Sequence, residues 1–260
     1  MGKVQRIEPI QIFHVFCEVI GEKILITIPQ ILELGKINTT NSWRESSWFT
    51  LIKRPIVLAS TNKTKIKLLT WVIYGLDLYP VLPIDFPTGP NAQETGSTHR
   101  QNAEIKANTW SQATNFLSLA TDGGLCIPSL GSKWQSINTK RFAGPDATDK
   151  QRVNHLLNLI KLHSPKNRQA YWIEALSVSW KGQPLATWEV HGELGTLGIR
   201  PIKGSSVGEF WVDTLWRPFK QQSGMTHQSS QIETISSHWG QLKNNFQAFY
   251  QSMPRLLEEK

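Results

Sequence analysis

The chain is 260 residues long, with 39% hydrophobic and 18% charged residues, so it can bury one sizeable core or two small ones. It contains no run of eighteen apolar residues, and its start (MGKVQRIEPIQIF) lacks the basic-then-apolar order of a signal peptide, so no membrane span or export is expected. The formal charge is +8, favouring an anionic partner, but it is dispersed. Residues 1–54 hold seven Lys/Arg against five Glu, and no basic run of five residues occurs, so a nucleic-acid partner is not indicated.

Residues 1–53 read as an extension of unknown role. Within it, IFHVFCEVIGEKILITI places two apolar runs around Gly21, Glu22 and Lys23, the pattern of a β hairpin. Cys17 and Cys126 are too few for a disulfide framework, and a reducing cytoplasm is the expected setting. Eleven tryptophans follow no period and suit core or interface packing.

From residue 54 the pattern becomes α/β, to about residue 253, with 254–260 a tail. Residues 55–60 (PIVLAS) form a buried-strand run, Asn62 can cap a helix to about Tyr74, and a second strand falls at 79–84. Thr98 and Gln101 fit the S/T-x-x-E/Q capping box of a helix running to about Thr114. A strand over 116–120 then ends on a loop carrying Asp122, Gly123 and Gly124. A helix over 147–162 follows, with Val153, Leu156, Leu157 and Ile160 on one face, then a hairpin of 171–180 and 184–190. A glycine-rich stretch over 192–208, the segment Glu209 to Asp213 and a last helix over 238–253 complete the chain.

Four groups of residues have chemical potential. Ser60, Asn62 and Lys65 stand where a strand enters a helix, a natural anion site, although Ser and Asn are also ordinary caps. Gln101 and Glu104 lie three apart on one side of a helix and Lys106 on another; from that spacing alone a solvated helix face with a Gln capping box is the plainer reading. Asp122 before two glycines suits a magnesium ligand or a base for water, and equally an Asp-Gly turn. Phe210, Asp213, Ser237 and His238 could stack on a base and bond its edge, or serve as packing and cap residues.

Together these segments resemble the inosine triphosphate pyrophosphatase family, the house-cleaning purine nucleoside triphosphate pyrophosphatases. Its T-G-N-x-x-K is similar to Ser60–Lys65, its E-T-G-x-T-F-x-E-N-A-x-x-K-A to 94–107, and its A-D-D-S-G-L to 120–125. Its S-A-R-Y-A-G is similar to 139–144, its G-F-G-Y-D-P to a reduced form at 209–214, and its S-H-R to Ser237, His238 and Trp239. The resemblance implies an α/β fold with a long central mixed sheet flanked by helices and two lobes with a cleft between them, as a homodimer. It implies Mg²⁺-dependent (or Mn²⁺-dependent) hydrolysis of inosine, xanthosine or deoxyinosine triphosphate to the monophosphate and pyrophosphate.

Carried over, Ser60, Asn62, Lys65, Lys106 and Gly123 would bind the triphosphate, and Asp122 would be the catalytic residue and metal ligand, with Gln101 a weak second one. Phe210 would stack on the purine, and Asp213, Ser237 and His238 would read its edge. Four departures fall where the family's chemistry is done. Gln101 replaces a metal-binding Glu, Thr121 the first Asp of the acidic pair, Glu233 a substrate-contacting Lys, and Trp239 an Arg. Lost carboxylates weaken a hard-cation site. The alternative is therefore a catalytically impaired relative that binds nucleotide or a partner protein without turnover.

Overall fold

The computed structural model describes residues 14–19, 22–27, 53–202, 210–219 and 238–253. Strands β1 (His14–Val19) and β2 (Glu22–Thr27) pair antiparallel as a separate two-stranded unit. The main sheet has six strands in the order β4-β3-β5-β6-β7-β8. These are β3 (Arg54–Leu58), β4 (Leu78–Val81), β5 (Leu117–Cys126), β6 (Gln169–Trp180), β7 (Gln183–Leu197) and β8 (Trp216–Pro218). β3 pairs in parallel with β4 and β5, and every pair from β5 onward is antiparallel, so the sheet is mixed.

The helices form where their caps direct. In α1 (Lys63–Ile73) the Asn62 side chain accepts from the Thr64 and Lys65 amides, leaving Leu69, Val72 and Ile73 buried. In α2 (His99–Thr114) Thr98 caps through the Gln101 amide. The box is not reciprocal, because the Gln101 side chain turns to Ser97, accepting from its amide at 2.7 Å and its hydroxyl at 2.9 Å. In α3 (Asp149–Ile160) Thr148 and Gln151 do form a reciprocal capping box. The fourth described helix is α4 (His238–Ser252).

Alternate residues of β3 and β5 supply both faces of the sheet. Ile56, Leu58, Leu117 and Leu119 join Leu69 and Val72 of α1 and Trp239, Leu242 and Phe246 of α4 in one core. Val57, Ala59 and Ala120 face Ala107 and Trp110 of α2. A further core gathers at the far end of β5, where Leu125, Trp134, Leu156, Ile160, Leu197 and Val212 pack. β5 thus has an apolar core at each end and a polar middle. Buried tryptophans 110, 134, 211 and 239 belong to these cores.

Three sequence expectations are corrected. The strand at 79–84 ends at Val81, where Pro83 starts a 3-10 turn. Asp122 is not in a loop beyond a strand: β5 continues through Asp122, Gly123 and Gly124, which pair with Ala175, Glu174 and Ile173 of β6. β7 likewise runs past Val190 to Leu197, with glycine at 195 lying against Arg217 O and the Trp216 ring. The β6–β7 hairpin turns tightly on Lys181 (φ 50°) and Gly182 (φ 77°), a positive-φ pair that matches strand twist.

Candidate functional site

Asp122 is 8% exposed, and both of its carboxylate oxygens have side-chain partners. Lys106 Nζ lies 2.9 Å from Oδ1, and His99 Nδ1 donates to Oδ2 at 2.7 Å. The His99 ring is anchored on its other side, with Nε2 3.0 Å from Ser136 Oγ. Burial alone would raise the Asp122 pKa. The His99 hydrogen bond and the charges of Lys106 and Lys65 outweigh it, bringing the carboxyl down to about 2. Burial would likewise lower the Lys106 pKa, but Asp122 and Glu94 hold it above the ordinary lysine value. Both groups are therefore charged across the physiological range.

Around this pair runs a chain of alternating charge. Glu94 accepts from Lys106 at 3.0 Å and from Arg141 at 3.2 Å. Lys65 Nζ lies 3.3 Å from Glu174 Oε1. A cleft of about 510 Å³ opens over these residues, lined by Ser60, Asn62, Lys65, Lys106, Asp122 and Phe210 among others. Lys140 and Arg141 line it as well. A larger cavity, about 820 Å³, shares Glu94, Ile137 and Arg141 but none of Lys65, Lys106, Asp122 or Phe210. The smaller cleft is the one where the charged groups converge.

Most of the residues singled out from the sequence meet here. Ser60, Asn62, Lys65, Lys106, Asp122, Gly123 and Phe210 all line the cleft. Asn62 acts as a cap through Oδ1, which leaves its amide donor for an anion. Phe210 meets Trp172 edge-on at 5.1 Å, which holds its ring at the cleft wall. Others lie elsewhere. Asp213 is exposed in a 3-10 turn and is not part of the cleft lining. His238 packs over Gly192 beside Trp172, and burial lowers its pKa against the opposing pull of Glu174 and Glu193. Ser237 and Glu233 lie outside the described residues. Trp239 fills the core with α4 and does not face the cleft.

Sequence reasoning missed four contributors. Arg141 and Glu94 were visible only as motif letters. His99 reads as a helix-start residue, since nothing local shows that Asp122 lies opposite it. Glu174 has no sequence signal at all, being delivered by strand pairing.

Magnesium demands several hard oxygens. Gln101 is exposed, and its Oε1 accepts from Ser97. The Thr121 hydroxyl donates to Glu174 Oε1 and also lies 2.8 Å from Ala175 O. Asp122 has both oxygens engaged, and among the described residues no three His, Cys, Asp or Glu side chains gather as a metal site. Among the described residues, the donor set does not fit a magnesium ion held by the protein itself.

Comparison with known proteins gives the family and the fold. The Ham1 family model matches residues 56–240. The chain belongs to the Ham1 family. Solved Ham1 proteins share the fold. The one from Coxiella burnetii has a TM-score of 0.64 at 26% identity, covering 76% of this chain and 98% of that one. The Staphylococcus aureus Ham1 protein has a TM-score of 0.61 at 25% identity, covering 77% and 100%. A Nautilia profundicola protein named dITP/XTP pyrophosphatase is 32% identical over 63% of this chain and 80% of its own length. Leptospira interrogans proteins of the same name are 34% identical over 48% of this chain, and there the match spans only 62% of the relative's length. Among the described residues no helix is long and apolar enough to cross a membrane.

Proposed function

We propose that this Ham1-family protein hydrolyses purine nucleoside triphosphates, those of inosine, xanthosine and deoxyinosine, to the monophosphate and pyrophosphate. The observation that carries the reading is the cleft itself. Lys65, Lys106, Lys140, Arg141 and the amino end of α1 converge on it beside an ionised Asp122. Such an array neutralises a polyphosphate and leaves an acceptor for water. The names of its relatives, dITP/XTP pyrophosphatase, support the substrate class.

In this reading Lys65 and Lys106 leave their carboxylate partners for phosphate oxygens. Asp122 then orients the attacking water, and Phe210 supplies a stacking face for the base. His238 and Asp213, away from the cleft lining, do not read the base edge in this arrangement. Mg²⁺ or Mn²⁺ would come as the counter-ion of the triphosphate, since the described residues offer no magnesium cage. A homodimer and a reducing, cytoplasmic setting belong to the same proposal, the first tested by sedimentation and the second by localisation of a tagged chain.

A second reading has its own observation. Both Asp122 oxygens are held and Gln101 faces away, which suits a nucleotide binder without turnover. One experiment separates the two. Pyrophosphate release is measured on a nucleoside triphosphate panel with either metal, using Asp122→Asn as control. Release that disappears in the variant supports the enzyme; nucleotide binding without release by the unaltered protein supports the silent binder.

A further inference from the structure

Glu174 is a carboxylate with no local sequence signal. It lies in the middle of β6, paired with Gly123 of β5, and is 7% exposed. A carboxylate so placed is costly unless it is partnered. Its Oε1 is met by the Lys65 ammonium at 3.3 Å and by the Thr121 hydroxyl. Lys65 lines the cleft and Glu174 does not, so Glu174 stands behind the lysine.

Three positions make this arrangement together. Thr121 aims the carboxylate, and Glu174 supplies it. Gly123 admits it, since a Cβ at that position would overlap Glu174 Oε2 and crowd Ile173 O. Thr121 and Gly123 are also two of the positions where the chain departs from A-D-D-S-G-L, having Thr for the first Asp and Gly for Ser. The acidic group missing from position 121 is thus present again on the neighbouring strand, and the smaller residue at 123 is what gives it room.

We propose that Glu174 is the positioning residue for Lys65, a carboxylate delivered from β6 in place of the one absent at 121. The inference rests on reading the cleft as a triphosphate site. By pairing with Lys65 it fixes the ammonium at the cleft wall, ready to exchange a carboxylate for a phosphate. A purely structural Glu174 would matter only for stability.

The test uses the full chain and the variants Glu174→Gln, Gly123→Ser and the double variant Thr121→Asp/Glu174→Val, which moves the acid back to β5. Thermal melting establishes that each is folded. Lys65 acetylation is followed by peptide mass spectrometry, with exposed Lys166 as internal control, and KM and kcat are measured on the preferred triphosphate. In Glu174→Gln and Gly123→Ser, Lys65 labels faster and KM rises about tenfold, the scale of one charge-assisted contact, while kcat changes by less than about threefold. The double variant returns both readings toward those of the unaltered chain.

Unchanged labelling and KM in folded Glu174→Gln overturn the proposal, as does a folded double variant that fails to recover. Should the unaltered chain turn over no triphosphate, the functional reading falls. Lys65 labelling then decides the role of Glu174 alone, faster labelling in the variants upholding it and unchanged labelling ending it.

Discussion

The corner where β3 enters α1 and the middle of β5 both serve the cleft, but they are built differently. At the corner, partners are close in sequence. Ser60 Oγ accepts from the Asn62 amide at 3.2 Å, and Asn62 Oδ1 accepts from the Thr64 and Lys65 amides. In the middle of β5, Asp122 depends on Lys106 and His99, 16 and 23 positions away, and Thr121 meets Glu174 across 53. A helix terminus is fixed by a few neighbouring residues. A mid-strand site exists only once the sheet has paired, so its disturbance costs more.

Four experiments press on that difference. The largest effect belongs to Lys106→Met, which removes a cation from the cleft and leaves Asp122 with His99 and the charge of Lys65. Pyrophosphate release should fall about 10²–10³-fold, the scale of losing one preorganised electrostatic partner. A loss under threefold would detach the β5 network from the chemistry.

Next is Gly124→Ala. Its Cβ would run into Ser136 O and Thr139 Oγ1, so unfolding free energy should drop by about 2–3 kcal/mol in a urea titration. At the end of α1, Gly75 has φ +91° but open space around it, so Gly75→Ala should cost only about 1 kcal/mol of strain. Equal costs would erase the contrast.

The third concerns acid. Because the folded Asp122 carboxyl sits at about 2, below its ordinary 3.8, its ionised form favours the folded state. That contribution, about 2 kcal/mol, is complete above the ordinary value and fades as pH falls toward the folded one. Unfolding free energies of the unaltered chain and Asp122→Asn should therefore converge between about pH 4 and 2. A difference that does not change over that acid range would mean that His99 and Lys106 do not stabilise the carboxylate.

The smallest effect is Asn62→Ala, which should cost about 1 kcal/mol through the lost cap while α1 keeps its packing.

The same contrast explains what could be read from the sequence. The β3, α1, α2 and α3 assignments rest on apolar spacing and caps, which are short-range signals, and Asn62, Thr98 and Thr148 act as caps. The long mixed sheet was expected from the family resemblance, and the structure shows it with six strands, in line with the solved Ham1 structures. Asp122 was found but placed in a loop, because Asp-Gly-Gly has the letters of a turn. In the structure those glycines allow close approach, Gly123 by Glu174 and Gly124 by Ser136. The end of β7 was missed for a similar reason, glycine serving contact with β8 and not a break. Gln101 looked like a weakened ligand, but Ser97 captures its side chain locally. His99 and Glu174 were invisible because their roles depend on pairing partners far along the chain. Trp239, which stands where the motif has Arg, is a core residue.

The most direct test of the central claim is ³¹P NMR of the unaltered protein with deoxyinosine triphosphate and Mg²⁺. The account predicts a nucleoside monophosphate and pyrophosphate appearing together, from cleavage between the α- and β-phosphates. Orthophosphate with a nucleoside diphosphate, or a triphosphate spectrum unchanged at high protein concentration, would contradict it.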